Sequence, residues 1–188
     1  LPVAGWVLST VSLTGALTGL LAGGVSDRIG HRRTILFAML FVIAGCLLGA
    51  NAHDVTTLLT SRFLEGVGFV GIVVSIPSIL MRVSAPNDQR LVFGIWAAYM
   101  PFGMAAMMAA TPALLTLTDW RGIWLVNAVA TGALLGLFMY MTRSLPRRVK
   151  GQKGLNILTA MFRVLARPGP WLLAACFMAY AGQWAAMM

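Results

Sequence analysis

Long apolar runs separated by short charged loops constrain this chain more than any other feature. Runs of about twenty residues recur along its 188 residues, and a helix of that length crosses the hydrocarbon core of a membrane. The hydrophobic share is 59%, the charged share is 10% and the mean hydropathy is +0.84. A soluble domain of this composition would have more apolar surface than it could bury. We therefore predict an all-α integral membrane protein.

The order of the runs predicts about six membrane-spanning helices. Five predicted spans cover residues 1–25, 34–50, 55–80, 91–117 and 123–142, and a sixth begins near Trp171. Gly15, Gly19 and Gly23 share one face of the first span and predict close packing against a neighbouring helix. Pro101 and Pro112 predict kinks in the fourth span. The chain opens without Met and stops within an apolar run, so we expect a fragment that lacks an earlier helix.

The loops differ strongly in charge, which predicts their orientation. One side of the membrane receives Arg28, Arg32, Arg33, Arg82, Arg90 and the seven basic residues of segment 143–167, while the other receives Arg121, Asp54 and Asp119. The positive-inside rule assigns the first side to the cytoplasm. This distribution explains the net charge of +9 without a nucleic-acid partner.

The basic segment 143–167 also divides the chain. Its apolar residues recur at helical spacing, which predicts an amphipathic helix on the membrane surface. We expect a half-bundle over residues 1–142, a cytoplasmic connector over 143–167 and the start of a second half-bundle over 168–188.

The turn between the first two spans carries a recognisable motif. Its residues are Gly23, Val25, Asp27, Arg28, Gly30, Arg32 and Ile35. They resemble the loop signature of the major facilitator superfamily, G-x-L-A-D-R-x-G-R-R-x-x-L. Ser26 and His31 depart from it, because Ala and a basic residue are usual there. Gly30 is the residue best suited to a left-handed turn.

The resemblance implies that this loop is a cytoplasmic latch, whose acidic residue pairs with the other half of the protein. The connector with Pro86, Arg90 and Gly94 resembles a repeat of the same turn. The residues that we expect to form the latch are Gly23, Asp27, Arg28, Gly30, Arg32 and Arg90.

Arg62 and Glu65 are the charged residues that fall inside a predicted span. They lie about 10 Å and about 15 Å from its start, and an arginine at a helix centre costs roughly 2.5 to 3.5 kcal/mol to insert. Their spacing allows an ion pair on one helix face, and we expect both side chains to face the bundle interior. A purely structural pair that fixes helix register is the alternative to a functional one.

The stretch 62–68 also resembles a second facilitator signature, R-x-x-Q-G-x-G, with Glu65 in place of Gln. The resemblance implies that Arg62 faces a central cavity and serves proton coupling or an anionic group of the solute. Glu65 is then a candidate proton carrier, because burial favours its neutral form and Arg62 favours its charged form.

Two pairs of residues, three of them aromatic, complete the candidate site. Trp96 and Tyr99 share a face of one span, and Tyr180 and Gln183 share a face of another. Packing is the alternative role for these side chains. Cys46 and Cys176 lie in apolar stretches and are expected to be buried thiols. We predict no metal, no cofactor and no enzymatic activity, since no nucleophile, phosphate-binding or metal-ligand motif is present.

We identify the chain as resembling a facilitator half-bundle, from the second to the start of the seventh of twelve helices. The resemblance implies a secondary transporter of a small, polar or anionic solute, with a proton gradient as driver and symport as mechanism. Segment 94–101 resembles the bacterial cyanate and nitroimidazole permease branch, which implies the bacterial inner membrane. The expected partners are the solute, protons, lipid and the remaining helices of the same protein.

Three alternatives remain at this point. A drug and proton antiporter is disfavoured, because the fifth-helix antiporter signature is matched only loosely by Gly94, Pro101 and Gly103. A membrane receptor would use the same spans without moving solute. A structural membrane subunit would not need Arg62 and Glu65 at mid-depth.

Overall fold

A computed structural model describes residues 2–143 and residues 166, 169, 171 and 175. The helices of this part are α1 (Pro2–Ile29), α2 (His31–Ala50), α3 (Val55–Val83), α4 (Gln89–Ala97), α5 (Tyr99–Leu117) and α6 (Trp120–Met141). Within the described residues, four segments are long and apolar enough to cross a membrane: His31–Ala50, Val55–Val83, Gln89–Leu117 and Trp120–Met141. The predicted all-α membrane fold is confirmed.

Contacts divide the chain into two compact units, residues 1–149 and residues 150–188. Four described residues belong to the second unit. The amphipathic helix predicted within 143–167 lies outside the described residues, and the start of a second half-bundle at 168–188 does so almost entirely. The three-part division of the chain therefore stays a prediction.

The connection between α1 and α2 is a single residue, Gly30. Its φ is 97°, a backbone conformation that residues with a Cβ rarely adopt. The amide of Gly30 donates to the Ser26 carbonyl at 2.9 Å, and its own carbonyl accepts from the Thr34 amide at 3.1 Å. Both helices therefore continue through the charged motif, and the turn is much shorter than the charged segment 23–35.

The most extensive helix contact joins α2 to α3, and small residues make it close. A Cβ added at Gly68 would lie 2.5 Å from the Ala38 carbonyl oxygen, and one added at Gly71 would lie 2.9 Å from the Ala38 Cβ. Without a strong hydrophobic driving force in lipid, such close contact supplies van der Waals attraction. The two helices therefore form a closely packed pair.

The glycine face of α1 packs less closely than its spacing predicts. A Cβ at Gly15 would lie 3.4 Å from Val70, one at Gly23 would lie 3.8 Å from Val74, and one at Gly19 would contact nothing within 4 Å. The stripe does face α3 through two of its three glycines. Valine side chains occupy the space there, so the backbones do not approach as closely as they do between α2 and α3.

The predicted fourth span is divided into α4 and α5 at Ala98. Pro101 has no amide hydrogen, so it cannot donate to the carbonyl four residues earlier, at Ala97. The amide of Phe102 resumes the helical pattern with a bond of 3.0 Å to the Ala98 carbonyl. The helix is therefore interrupted next to Pro101, where the sequence predicts a kink, whereas Pro112 lies inside the continuous helix α5.

Aspartate residues cap the N-termini of two of the helices. Asp54 accepts a hydrogen bond of 3.3 Å from the Thr57 amide at the start of α3, and Asp119 accepts one of 3.0 Å from the Gly122 amide at the start of α6. These are N-caps, which satisfy free amides of the first turn. The Thr57 hydroxyl and amide hold the pKa of Asp54 below its ordinary value, because both donate to its charged form. The guanidinium of Arg121 joins the two turns with a bond of 2.9 Å to the Ala52 carbonyl.

Candidate functional site

A cavity of about 760 Å³ lies between α2, α3 and α6. Both α3 and α6 pack against α2, so α2 lies between them and closes one side of the cavity. Most of its lining is apolar. The polar lining consists of Cys46 from α2, Arg62 and Glu65 from α3, and Trp124, Asn127 and Thr131 from α6.

Arg62 and Glu65 form the ion pair that their spacing predicts. The Arg62 Nη1 lies 2.9 Å from the Glu65 Oε2, and the side chains are 27% and 15% exposed. Both line the cavity between the three helices, as expected for residues that face the bundle interior. The Arg62 Nε is buried and has no hydrogen-bond partner among the described residues. The guanidinium therefore retains donor capacity beyond its bond to Glu65.

Trp124 and two glycines of α2 complete the surroundings of this pair. The Arg62 Cζ lies 3.9 Å from the centre of the Trp124 ring, a cation–π distance. A Cβ at Gly49 would overlap the Trp124 ring, and a Cβ at Gly45 would lie 2.6 Å from the Glu65 Cγ. The two glycines, four residues apart, leave room on α2 for the side chains that hold the charges. We call Arg62, Glu65, Trp124, Gly45 and Gly49 the charged cluster.

Sequence reasoning did not identify Trp124, Gly45 or Gly49. The four-residue spacing of the two glycines was a usable signal, because the same spacing drew attention to the first span. No local signal points to Trp124, since its contact with Arg62 depends on how α3 and α6 are rotated on α2.

Trp96 and Tyr99 are not brought to this cavity. Trp96 and Tyr99 stack on each other with ring centres 5.5 Å apart at the junction of α4 and α5, and neither lines the cavity. Phe93 meets Trp96 edge to face, with ring centres 6.2 Å apart. Tyr180 and Gln183 lie outside the described residues.

The predicted latch residues gather at the turn around Gly30, with the exception of Arg90 at the start of α4. The Asp27 side chain is 76% exposed, and its Oδ1 lies 3.8 Å from the His31 Nε2. Arg28 and Arg90 are exposed. Arg32 donates from its Nε to the Thr142 hydroxyl at 2.9 Å, so it binds α6 within the same unit.

A buried hydroxyl pair lies beneath this turn. The Ser26 Oγ is 2.8 Å from the Ser75 Oγ and 2.6 Å from the His31 Nδ1. Ser26 is 1% exposed and Ser75 is 0% exposed. The two positions that depart from the loop signature, Ser26 and His31, thus interact with each other and link the turn to α3.

The Major Facilitator Superfamily model matches residues 1–188 of the chain. The Methylenomycin A resistance protein of Bacillus subtilis (strain 168) is 28% identical over 144 residues, which are 73% of this chain and 30% of that protein. The Myo-inositol transporter 3A of Cryptococcus neoformans is 25% identical over 140 residues, which are 73% of this chain and 24% of that protein. The D-xylose transporter of Levilactobacillus brevis is 34% identical over 86 residues, which are 46% of this chain and 19% of that protein.

The chain thus covers less than a third of the length of each of these relatives. Together with the apolar helices, the family match identifies an integral, multi-pass membrane protein.

Proposed function

We propose a transport function on the premise that this chain belongs to the Major Facilitator Superfamily, whose model matches residues 1–188. In this proposal the protein moves a small solute across the membrane by alternating access, in which two helical halves rock around a site near the middle of the membrane. The chain supplies most of one half. The proposal includes no catalytic step.

The observation that carries the proposal is the Arg62–Glu65 pair in the cavity between α2, α3 and α6. Ionisable residues within a membrane span are costly to insert and commonly mark solute or proton pathways. The Arg62 guanidinium is always charged and has hydrogen-bond donors that Glu65 does not occupy. It therefore suits a carboxylate or another anionic or strongly polar group of the solute. A small polar or anionic solute is therefore the substrate class that we propose.

Proton coupling is the second part of the proposal. Glu65 lies in a mostly apolar cavity and pairs with Arg62, so two opposed influences act on its charge. A solute anion that displaces the carboxylate from Arg62 would leave Glu65 without its counterion and favour its protonation. Solute and proton would then enter the site together, as symport requires.

The turn around Gly30 supplies the proposed latch. The exposed Asp27 carboxylate is free to meet a basic partner from another part of the protein, and Arg28 and Arg90 are also exposed. Location in a bacterial inner membrane and membership of the cyanate and nitroimidazole permease branch remain predictions.

Drug efflux is a second candidate, because the Methylenomycin A resistance protein is among the relatives. A mostly apolar cavity with few polar groups is compatible with an apolar drug-like solute. The direction of transport under a pH gradient distinguishes efflux by proton antiport from symport.

The test is uptake of a panel of carboxylates, other small anions, sugars and apolar drugs by proteoliposomes, with and without a pH gradient. We expect Arg62→Leu to reduce uptake of the anionic solute at least tenfold and Glu65→Gln to abolish its stimulation by the pH gradient. Arg82→Gln is the matched control, because Arg82 is exposed near the end of the same helix.

Each contrary result has a distinct meaning. If Glu65→Gln keeps the rate and pH profile of the wild-type protein, proton coupling at Glu65 is wrong. If no solute accumulates, a receptor or a structural subunit replaces the transporter proposal. Unchanged uptake after replacement of both Arg62 and Glu65 by Leu would favour a purely structural pair that fixes helix register.

A further inference from the structure

The Trp124 ring occupies a defined place between two helices. On the α2 side it packs against Gly49, where a Cβ would overlap the ring. Over its face lies the Arg62 guanidinium of α3, with Cζ 3.9 Å from the ring centre. The absence of a side chain at Gly49 thus makes room for the ring, and the ring covers the cation.

Two groups of the charged cluster stabilise the Arg62 cation in this apolar setting. The Glu65 carboxylate does so at 2.9 Å and the Trp124 ring at 3.9 Å. If Glu65 takes up a proton, the attraction between the opposite charges is lost, whereas the attraction between the ring and the cation remains. The Arg62 Nε has no hydrogen-bond acceptor among the described residues, and the ring is then the group of the charged cluster that still attracts the cation.

We propose that Trp124 is a positioning residue that holds the Arg62 guanidinium in place while Glu65 is protonated. This inference rests on the proposed transport role of Arg62 and Glu65. A cation–π contact is stronger for a free cation than for one neutralised by a carboxylate. The ring therefore lowers the free energy of the protonated state relative to the ionised state, and its removal makes protonation of Glu65 harder.

The charged and titratable groups that face Glu65 in the cavity are few. They are Cys46 from α2 and Arg62 from α3, while the described cavity lining of α6 contributes only the uncharged polar residues Trp124, Asn127 and Thr131. Trp124 is thus the α6 residue whose replacement tests the inference without changing the number of charges in the cavity.

The first test does not depend on transport. A lipid-soluble carbodiimide adds to protonated carboxyl groups, so peptide mass spectrometry of Glu65 labelling against pH reports its protonation in the purified protein. We expect Trp124→Leu to move the half-labelling pH downward by up to about one pH unit, which is tenfold in proton concentration. Trp124→Phe retains a weaker aromatic face and should give a smaller downward shift, which keeps the test usable if the Leu variant does not fold.

The matched control is Trp120→Leu. Trp120 lies on the same helix and also carries a cation–π contact, with the Arg121 Cζ 4.6 Å from its ring centre, but it does not line the cavity. We expect its labelling curve to superimpose on that of the wild-type protein. A Trp124→Leu curve that also superimposes on the wild-type curve would overturn the inference, as would equal shifts for Trp124→Phe and Trp124→Leu.

Uptake measurements give the second test. We expect the pH profile of solute uptake in Trp124→Leu to shift in the same direction as Glu65 labelling, and Trp124→Phe to restore most of the wild-type profile. If no solute on the panel is transported, the proposed function fails, but the labelling experiment still decides the role of Trp124. A labelling shift without any change in the uptake profile would reject the link between the ring and transport.

Discussion

The Nε of Arg32 donates a hydrogen bond of 2.9 Å to the Thr142 hydroxyl and thereby joins the start of α2 to the end of α6. The same hydroxyl donates to the Phe138 carbonyl at 2.6 Å, and Thr142 is buried. A residue of the predicted latch therefore also fastens together two helices that line the cavity.

This contact predicts a measurable coupling between the two residues. Arg32→Ala and Thr142→Val each remove the hydrogen bond, so a double-mutant cycle of thermal unfolding in detergent should give a coupling energy of about 1 kcal/mol. Thr142→Ser keeps the hydroxyl and serves as the control. Strictly additive effects of the two substitutions would contradict the contact.

Gly45 should tolerate no larger side chain. The methyl of Gly45→Ala would lie 2.6 Å from the Glu65 Cγ and 2.9 Å from the Ser61 carbonyl oxygen, so we expect a loss of about 1–3 kcal/mol in the free energy of unfolding. Gly19→Ala is the matched control, because a Cβ there meets nothing within 4 Å, and alanine favours a helix. Thermal unfolding of both variants in one detergent provides the comparison. Equal stability of the two would show that α2 and α3 are not in close contact at Gly45.

The buried hydroxyl pair beneath the turn gives a test of non-additivity. Ser75→Ala removes the 2.8 Å contact between the two hydroxyls but leaves the Ser26 hydroxyl in contact with the His31 Nδ1, and we expect a cost of about 1 kcal/mol. The double variant Ser26→Ala and Ser75→Ala removes both hydroxyls, so it should cost less than the sum of the single changes. Unfolding midpoints of the three variants test this, and a double variant as unstable as the sum would argue against the pair.

The N-cap at Asp54 predicts that the stability of the first turn of α3 depends on pH. Because its pKa in the folded protein is lowered by the Thr57 hydroxyl and amide, its contribution to stability is fully present above its ordinary pKa. That contribution is lost as the pH falls through the lowered value. We expect the protection factors of amides in the first turn of α3, which are corrected for the intrinsic pH dependence of exchange, to fall on acidification to about pH 3, below the ordinary aspartate pKa of about 3.9. Asp54→Asn keeps a cap that does not titrate, so its first turn should keep the same protection factors at both pH values; a fall there too would assign the effect to another group.

Local spacing was sufficient to predict several parts of the structure. The pairing of Arg62 with Glu65 follows from a separation of three residues on one helix. The turn at Gly30 follows from the backbone freedom of glycine, and the break before Pro101 follows from the missing amide hydrogen. These features depend on atoms close together in the sequence, where the geometry of one helix fixes their arrangement.

Features that depend on helix rotation and tilt were not predictable in this way. The contact between Arg62 and Trp124 joins two helices that both pack on α2, and the pair of Ser26 with Ser75 joins α1 to α3. The glycine stripe of α1 illustrates the same limit, since its spacing predicted the face but not the valines that fill it. How closely α1 and α3 approach depends on the side chains of α3 as much as on the glycines of α1.

The single-residue connection at Gly30 has a mechanical consequence. α2 contains 20 residues and is therefore about 30 Å long, so a pivot of about 10° at Gly30 that moved α2 together with the closely packed α3 would carry the Ala50 end through about 5 Å. Gly49, which seats the Trp124 ring, lies at that far end. A small rotation at one membrane surface would therefore become a displacement about as large as a side chain near the other surface.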